Sequence, residues 1–277
     1  MSVIVFTFVT SALLISQYFA FKVLSLFIQH AKAIEQKTSA LSSHSPPSSN
    51  EGNTTRSSSS QSKMASHSCI NYNLSKRTIT VSCSDGPATL TDIDNILHNS
   101  SILSRQSPGG VWLLNANLVI AKGATFHIDS TDTKWLKISS KVTSTTGKIS
   151  PAYLIVIHGS LKIDSVKITG WDPIKNNYPL SYGSRTGRGN YIFGTPRPSI
   201  YVDYNATGTT NITNSEIAYL GYEVGKHKGA SGLSYYAGDG SMIRNNNIHN
   251  VYFGFYSIGV GQMIIENNIV SNSGHYG

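Results

Sequence analysis

Short runs of alternating apolar and polar residues, separated by Gly or Asn, fill the chain from Gly109 to its last residue. Alternation predicts half-buried β-strands, and the Gly and Asn positions predict tight turns between them. One stretch departs from this pattern. In "DIDNILHNSSI" (Asp92–Ile102) the apolar residues recur at helical spacing, which predicts a single short helix. The pattern as a whole therefore predicts an almost entirely β protein.

The β runs also repeat along the sequence. "MIRNNNIHN" and "MIIENNIVSN" align with Asn246 above Asn267 and Ile248 above Ile269, in each case 21 residues apart. Repeats of 20 to 50 residues are typical of solenoids and related repeat architectures. Two weaker, earlier copies place an apolar residue in the Ile248 position, namely Ile217 and Val166.

The composition of the repeat selects the kind of solenoid. Leucine-rich repeats need several Leu per unit, and helical repeats need longer amphipathic runs, and neither feature is present. Short β runs with Asn at the corners predict a right-handed parallel β-helix, because Asn tolerates the left-handed backbone of tight turns. We expect Asn246 and Asn267 to belong to a structural corner ladder, and Ile248 and Ile269 to stack inside the tube. A groove along one outer sheet suits an extended polymer, by analogy of fold.

The two cysteines, Cys69 and Cys83, enclose alternating residues that predict a short hairpin. A disulfide between them would close a loop of about 15 residues and stabilise the fold by roughly 3 kcal/mol. The alternative is a pair of free thiols. Export of the chain favours the disulfide.

The N-terminus contains an apolar stretch, Val3–Phe21, that is about long enough to span a bilayer. We interpret residues 1–33 as a signal peptide or signal-anchor, with a membrane anchor within residues 3–28, although Lys22 and Lys32 lie on the side that the positive-inside rule disfavours. Residues 34–68 are rich in Ser and lack aromatic residues, which predicts a disordered linker. The β-helix domain is expected over 69–277, on the cell surface or outside the cell.

The net charge of the chain limits the classes of molecule that it is expected to bind. The chain carries a formal charge of +8 although only 13% of its residues are charged, and such a basic protein attracts polyanions. No Lys- or Arg-rich run of the nucleic-acid-binding type occurs, so we expect an acidic polysaccharide and no nucleic acid. The positive residues form two local groups, one with Arg185, Arg188 and Arg197 and one with Lys226 and Lys228.

The last residues carry a family resemblance. "IENNIVSNSGHYG" is similar to the rung that leads into the catalytic motif Tyr-Gly-x-Asp-Pro-His of mannuronan C5-epimerases, which are right-handed β-helix enzymes of the alginate pathway. Tyr276 and Gly277 match its first two residues, and "GKHKG" with "GDG" matches a Gly-Lys segment and a Gly-Asp-Gly turn that precede the motif. The resemblance covers roughly Trp112 to Gly277 and is strongest from Glu216 onward. Because the motif stops after two residues, we expect the chain to be a fragment.

The resemblance implies roles for individual residues. Tyr276 would act as the acid or base at C5 of a uronate, one rung beyond Phe253. Lys226, with His227 or Lys228, would neutralise the substrate carboxylate, and Asp239 would belong to the substrate-binding turn. The implied reaction converts mannuronate to guluronate residues in the polymer. No cofactor is expected, and since no Asp-rich repeat or metal cluster occurs in the sequence, calcium is left open rather than assigned.

Each of these residues also has a plain structural interpretation. Tyr276 could be a member of an aromatic stack, Asp239 a turn former, and the lysines solvated loop charges. His249 and His275 are expected at the surface, and the arginines lie in a long insertion that either folds over the groove and binds a polyanion or is a simple loop. Two other functions stay open: a polysaccharide lyase on the same fold, and a carbohydrate-binding or cell-surface module without catalysis.

Overall fold

A computed structural model describes residues 69–106, 109–140, 152–180, 183–185, 191–193, 196–223 and 231–275. The predicted signal or anchor segment and the predicted linker lie outside these ranges. Among the described residues, no helix is both long enough and apolar enough to cross a membrane.

The described chain consists of 21 strands and one helix, α1 (Leu90–Leu97). In chain order the strands are β1 (Ile70–Asn73), β2 (Thr78–Val81), β3 (Leu103–Gln106), β4 (Val111–Leu114), β5 (Asn117–Ile120), β6 (Thr125–Asp129), β7 (Trp135–Ser139), β8 (Leu154–Ile157), β9 (Ser160–Asp164), β10 (Lys167–Trp171), β11 (Gly183–Arg185), β12 (Tyr191–Phe193), β13 (Ser199–Val202), β14 (Thr210–Thr213), β15 (Glu216–Ala218), β16 (Gly232–Tyr235), β17 (Ser241–Arg244), β18 (Asn247–His249), β19 (Phe253–Ser257), β20 (Met263–Glu266) and β21 (Ile269–Ser271).

Three sheets enclose the core. Sheet 1 has the order β1-β2-β5-β8-β13-β16-β19, sheet 2 the order β20-β17-β14-β9-β6, and sheet 3 the order β21-β18-β15-β10-β7-β4-β3. From β5 onward the chain visits sheets 1, 2 and 3 in turn and pairs each new strand in parallel with its predecessor. This is the right-handed parallel β-helix that the sequence pattern predicted. An antiparallel hairpin, β11–β12, lies between β10 and β13 in the chain.

The interior is built from in-register columns of aliphatic side chains, which suit a pleated, buried surface. In sheet 3, β-strand pairing places Leu136, Ile168, Ile217 and Ile248 in one such column, each at most 1% exposed. The prediction that Ile217 matches Ile248 is therefore confirmed. Val166 does not belong to this column, because Ile168 occupies it.

The corner between sheets 2 and 3 holds the predicted polar ladder, with a different register. Asn246 Nδ2 donates to Asn268 Oδ1 at 2.9 Å, and Asn246 Oδ1 accepts from the Ser215 amide at 2.9 Å. The residue before each ladder member has a left-handed backbone, with φ between 51° and 58° at Ser165, Asn214, Asn245 and Asn267. Corner Asn residues thus form side-chain hydrogen bonds between rungs and also adopt the left-handed backbone of the tight turn.

The expected pairing of Asn246 with Asn267, and of Ile248 with Ile269, is wrong by one residue. β18 pairs with β21 so that Ile248 lies opposite Val270, a separation of 22 residues. Because side chains alternate between the two faces of a strand, this shift places Ile269 on the outside. Ile269 is 67% exposed, whereas Ile248 is 1% exposed.

The N-terminal end of the domain confirms two further predictions. Cys69 and Cys83 form a disulfide, and β1 and β2 form the antiparallel hairpin between them. The helix exists, but it spans Leu90–Leu97 rather than Asp92–Ile102. Thr89 begins it with a capping box to Asp92, and His98 ends it by adopting a left-handed backbone with φ 44°.

Candidate functional site

A run of aromatic side chains crosses successive strands on the outer face of sheet 1. Tyr201, Ser234 and Tyr256 lie in register on β13, β16 and β19 and face outward, since Ile200 and Val202 point into the core. Tyr236 follows β16 directly. We call the set Tyr201, Tyr204, Tyr236, Tyr256, Phe253 and His275 the aromatic track.

The rings of the track contact one another from rung to rung. The Tyr236 centroid lies 5.3 Å from that of Tyr201 and 5.8 Å from that of Tyr256. Phe253 continues the run at 5.3 Å from Tyr256, and His275 stacks on Phe253 at 5.0 Å with an interplanar angle of 29°. These spacings fall in the range of favourable aromatic pairs. The track is thus a continuous aromatic surface that follows the solenoid axis.

Two phenols of the track, those of Tyr201 and Tyr236, have raised pKa values. Burial raises the pKa of Tyr201, and its hydrogen bonds and charge interactions with Tyr204 and Asp203 raise it further. Burial, with interactions with Tyr256 and Tyr204, raises the pKa of Tyr236. At neutral pH these hydroxyls therefore remain hydrogen-bond donors as well as acceptors. Such groups on ring edges suit a polymer that carries many hydroxyl groups.

The C-terminal end of the track packs on a buried hydrogen bond. The Tyr252 hydroxyl donates to Glu223 Oε2, and both side chains are less than a tenth exposed. The Tyr252 ring lies 4.9 Å from Phe253 and 5.7 Å from His275. The His275 amide donates to the Tyr252 carbonyl at 2.9 Å. The pair formed by Glu223 and Tyr252 therefore contacts the last described part of the track through the Tyr252 ring.

A second aromatic group lies on the outer face of sheet 3. We call Trp135, Lys137, Trp171, Tyr178 and Tyr219 the sheet 3 cluster. The Lys137 ammonium lies 3.9 Å from the Trp171 centroid and 4.3 Å from that of Trp135, and Tyr178 stacks on Tyr219 at 4.2 Å. The Lys137 ammonium also donates to Gln106 at 3.1 Å. Burial lowers the pKa of Lys137.

The insertion between β10 and β13 covers this cluster. Thr169 and Ala218 face outward on sheet 3 yet are 0% exposed. Pro179 and Pro198 lie 3.1 Å from where a Cβ of Gly170 would stand, and such a Cβ would overlap the Tyr219 carbonyl oxygen. The insertion is therefore anchored closely at both of its ends, and the sheet 3 cluster works as a small external core.

Beside the cluster, Glu216 links two basic side chains on neighbouring strands. Its carboxylate lies 2.8 Å from Lys167 Nζ and 3.2 Å from His249 Nε2. Burial tends to lower the pKa of Lys167, but hydrogen bonds and charge interactions with Glu216 and Tyr178 outweigh it and raise the pKa. His249, expected at the surface, is only 20% exposed at its side chain. Its contacts with Glu216 and Asn250 explain this burial.

Most of the residues predicted to bind substrate lie outside the described ranges, namely Tyr276, Lys226, His227 and Lys228. Their chain positions are nevertheless informative. Residues 224–230 connect β15 of sheet 3 to β16 of sheet 1, and Tyr276 directly follows His275, the last described member of the track. In sequence, both groups are thus adjacent to described residues, and their contact with a substrate stays a prediction.

Asp239 is described and lies in the turn between β16 and β17. It is exposed, and its Oδ1 accepts from the Gly261 amide of the next rung at 2.7 Å. Asp239 thus braces two neighbouring turns, as its structural interpretation predicted. Contact between Asp239 and a substrate stays a prediction.

Arg197 does not fit the interpretation of the insertion as a loop that binds a polyanion. Arg197 is 1% exposed, donates to the Asn250 carbonyl at 3.0 Å and lies 5.8 Å from the Tyr219 centroid. It is an anchor for the insertion and is not accessible to a polymer. Arg185 lies on β11, and Arg188 falls outside the described ranges.

Sequence reasoning missed the aromatic track except for Phe253. His275 is exposed, as expected, but it also stacks on Phe253 rather than standing alone in solvent. Within the described part of the chain, no group of three or more His, Cys, Asp or Glu side chains is placed to hold a metal ion.

The sequence matches no protein-family model and no curated protein. Among solved structures, the fold is similar to the periplasmic alginate epimerase AlgG, with 20% identity and a TM-score of 0.51 over 69% of this chain and 41% of that one. Two crystallised mutants of AlgG give the same TM-score, with 19% and 20% identity. The chain thus spans about two fifths of the length of AlgG. At this identity the likeness establishes the parallel β-helix fold alone.

Proposed function

We propose that this chain binds an anionic polysaccharide along the outer face of sheet 1 and epimerises its uronate residues at C5. The observation that carries the proposal is the aromatic track, which runs from rung to rung and reaches His275, the residue before Tyr276. An open aromatic surface along a solenoid axis fits an extended polymer. The shared fold with a protein described as an alginate epimerase supports a polymannuronate-like substrate.

Binding would combine stacking with charge. Neighbouring strands lie about 4.8 Å apart, so successive rings of the track could each meet the apolar face of a successive sugar. Tyr hydroxyls would hydrogen-bond the sugar hydroxyls. The net charge of +8 would attract the polyanion over a longer range. Lys226, with His227 and Lys228, would pair with the carboxylate of the reacting residue.

The chemistry follows from the acidity of C5–H. This hydrogen is α to the carboxylate, so its removal places negative charge on the carboxylate oxygens, and nearby cations lower that barrier. A base takes the proton from one face of the sugar, and an acid returns a proton to the other face. Tyr276 would fill one of these roles, and the proposal assigns the other to no residue of this chain. The reaction is an isomerisation, so it consumes no electrons and no co-substrate.

We also propose that the chain works outside the cytoplasm. The disulfide Cys69–Cys83 is typical of oxidising compartments, and AlgG, which shares the fold, is periplasmic. The apolar residues 3–28 would then target the chain or hold it at the membrane. Fusion of these residues to a reporter enzyme that is active only after export would test this part of the proposal.

The catalytic proposal is tested by proton NMR of polymannuronate incubated with the protein in heavy water. Deuterium at C5 together with new guluronate signals is the expected result, and Tyr276→Phe should reduce the rate by roughly 10²- to 10⁴-fold. Tyr235→Phe is the matched control, because this hydroxyl is buried inside the tube on the Thr210 carbonyl. New unsaturated uronate signals would indicate a lyase. An unchanged spectrum despite measurable polymer binding would indicate a binding module.

A further inference from the structure

A buried carboxylate that the reaction scheme does not use lies next to the track. Glu223 is 4% exposed and accepts a hydrogen bond from the hydroxyl of Tyr252, which is 7% exposed. A carboxylate in the protein interior is costly unless hydrogen bonds or charges compensate for lost hydration. A buried hydrogen-bonded pair of this kind fixes the side chains that it joins.

Tyr252 is held at its backbone as well as at its hydroxyl. Its amide donates to the Leu220 carbonyl at 2.9 Å, and its carbonyl accepts from the His275 amide at 2.9 Å. Leu220 lies one rung earlier and His275 one rung later. Tyr252 therefore connects three consecutive rungs at the corner where sheet 3 gives way to sheet 1.

The ring of Tyr252 completes a pocket for His275. Tyr252 and Phe253 are perpendicular, with an interplanar angle of 83° and centroids 4.9 Å apart. The His275 imidazole stacks on Phe253 and meets Tyr252 at 71°. An exposed imidazole on the last described turn is thereby held by two aromatic surfaces, one of which is tied to Glu223.

We propose that Glu223 is a positioning residue, which acts through Tyr252 to hold His275 against Phe253 as the terminal platform of the aromatic track. The consequence rests on the proposed function: a fixed His275 fixes the point from which Tyr276 extends toward the substrate. Glu223 does not touch the substrate in this scheme. Its contribution is the geometry of the reacting end of the track.

The positioning can be tested without any polymer. With ¹³C-labelled histidine, the His275 ring resonance is identified by its loss in His275→Gln. Tyr252→Phe keeps the ring but removes the hydroxyl, so we expect a shifted and broadened His275 resonance and about tenfold faster amide exchange in residues 272–277. Glu223→Gln keeps a hydrogen-bond acceptor and should retain the wild-type resonance. Tyr235→Phe removes a comparably buried hydroxyl elsewhere and should have no effect.

The functional consequence is measured on polymannuronate. Tyr252→Phe and Glu223→Ala should lower kcat for deuterium incorporation by about tenfold with less than a twofold change in KM, because misplacement affects the reacting geometry more than polymer binding. Glu223→Gln should restore most of kcat, which general loss of stability would not explain.

An unchanged His275 resonance and unchanged amide exchange in Tyr252→Phe would overturn the positioning role, whatever the activity. If Glu223→Ala does not fold, Tyr252→Phe still decides the question. Wild-type protein that neither binds nor alters polymannuronate would overturn the proposed function instead, while the NMR comparison would still show whether Glu223 and Tyr252 hold His275.

Discussion

The outer faces of sheet 1 and sheet 3 both carry aromatic rings in contact across successive strands, yet the two faces differ in what lies above them. On sheet 3, Trp171 is 8% exposed and the insertion packs over it. On sheet 1, Tyr201 is also 8% exposed, but Tyr204 is 47% exposed and His275 lies at the surface, and the other rings of the track are partly exposed. Aromatic residues on the outer face of a solenoid can therefore anchor a segment that packs over them or form a track that stays partly exposed. The presence of a packed segment above the rings distinguishes the two cases.

The two faces also differ in the partners of their rings. In the sheet 3 cluster the ammonium of Lys137 lies against two indoles and a Gln side chain, so the cation is already engaged. In the aromatic track four of the rings carry hydroxyls, and the Tyr201 hydroxyl interacts with Tyr204 and Asp203. This difference favours sheet 1 as the face that meets a polymer.

The largest predicted effect distinguishes the two faces by their contribution to the free energy of unfolding. Trp171→Ala removes a large buried ring from the sheet 3 cluster and should lower the free energy of unfolding by about 3–5 kcal/mol, as measured by urea denaturation. Polymannuronate affinity should stay at the wild-type value. Ile174→Ala, in the insertion that covers the cluster but 69% exposed, should change neither quantity. Loss of affinity without loss of stability in Trp171→Ala would reverse the assignment of the faces.

The second-largest predicted effect distinguishes the two faces by their contribution to polymannuronate affinity. Tyr256→Ala interrupts the aromatic track between Tyr236 and Phe253 and should raise the Kd for polymannuronate about tenfold, or about 1.4 kcal/mol. Tyr256→Phe keeps the ring and should recover most of the affinity in isothermal titration calorimetry. Equal affinities for wild type and Tyr256→Ala would remove the track from the binding surface.

Alkaline pH should act with opposite sign on Tyr236 of the aromatic track and on Lys137 of the sheet 3 cluster. The pKa of Tyr236 is raised above 10.0, so the folded state keeps a proton that the unfolded chain loses, and stability falls as pH rises above 10.0. The pKa of Lys137 is lowered below 10.5, so its contribution to stability rises as pH approaches 10.5. Tyr236→Phe should weaken the alkaline loss, and Lys137→Met should steepen it, each by less than about 1 kcal/mol. Denaturation midpoints from neutral to alkaline pH would show identical slopes if neither group were perturbed.

The smallest effect concerns the open edge of the track. Tyr204 contacts Tyr236 at 5.8 Å but is 47% exposed, so Tyr204→Ala should change the free energy of unfolding by no more than about 0.5 kcal/mol. We expect a Kd for polymannuronate raised about twofold, measured beside Tyr256→Ala. A change in Kd larger than that of Tyr256→Ala would move the centre of the binding surface toward Tyr204.

The fold was predictable because every rung repeats the same physical requirements. Ile217 and Ile248 fill the same interior column, and Asn214 and Asn245 fill the same left-handed corner. The register between the last two rungs was not predictable, because a sequence alignment can match either Asn267 or Asn268 to Asn246. Only strand pairing shows that Asn268 is the ladder member.

The aromatic track was less accessible to sequence reasoning. Turns of different length separate Tyr201, Tyr236 and Tyr256 in the chain, so no fixed period connects them, and the contacts follow only once the strands are in register. Arg197 does not fit the interpretation of the insertion as a polyanion-binding loop, and composition alone does not reveal that it is buried. The lysines and the tyrosine suggested by family resemblance stay predictions.

Hydroxyl-radical footprinting with and without polymannuronate tests directly whether the polymer binds on the outer face of sheet 1, because it reports which side chains the polymer covers. We expect oxidation of Tyr204, Tyr236 and Tyr256 to fall when polymer is bound, while oxidation of Trp135 and Tyr178 on sheet 3 does not change. Protection of Trp135 and Tyr178 with no protection of the three tyrosines would contradict it.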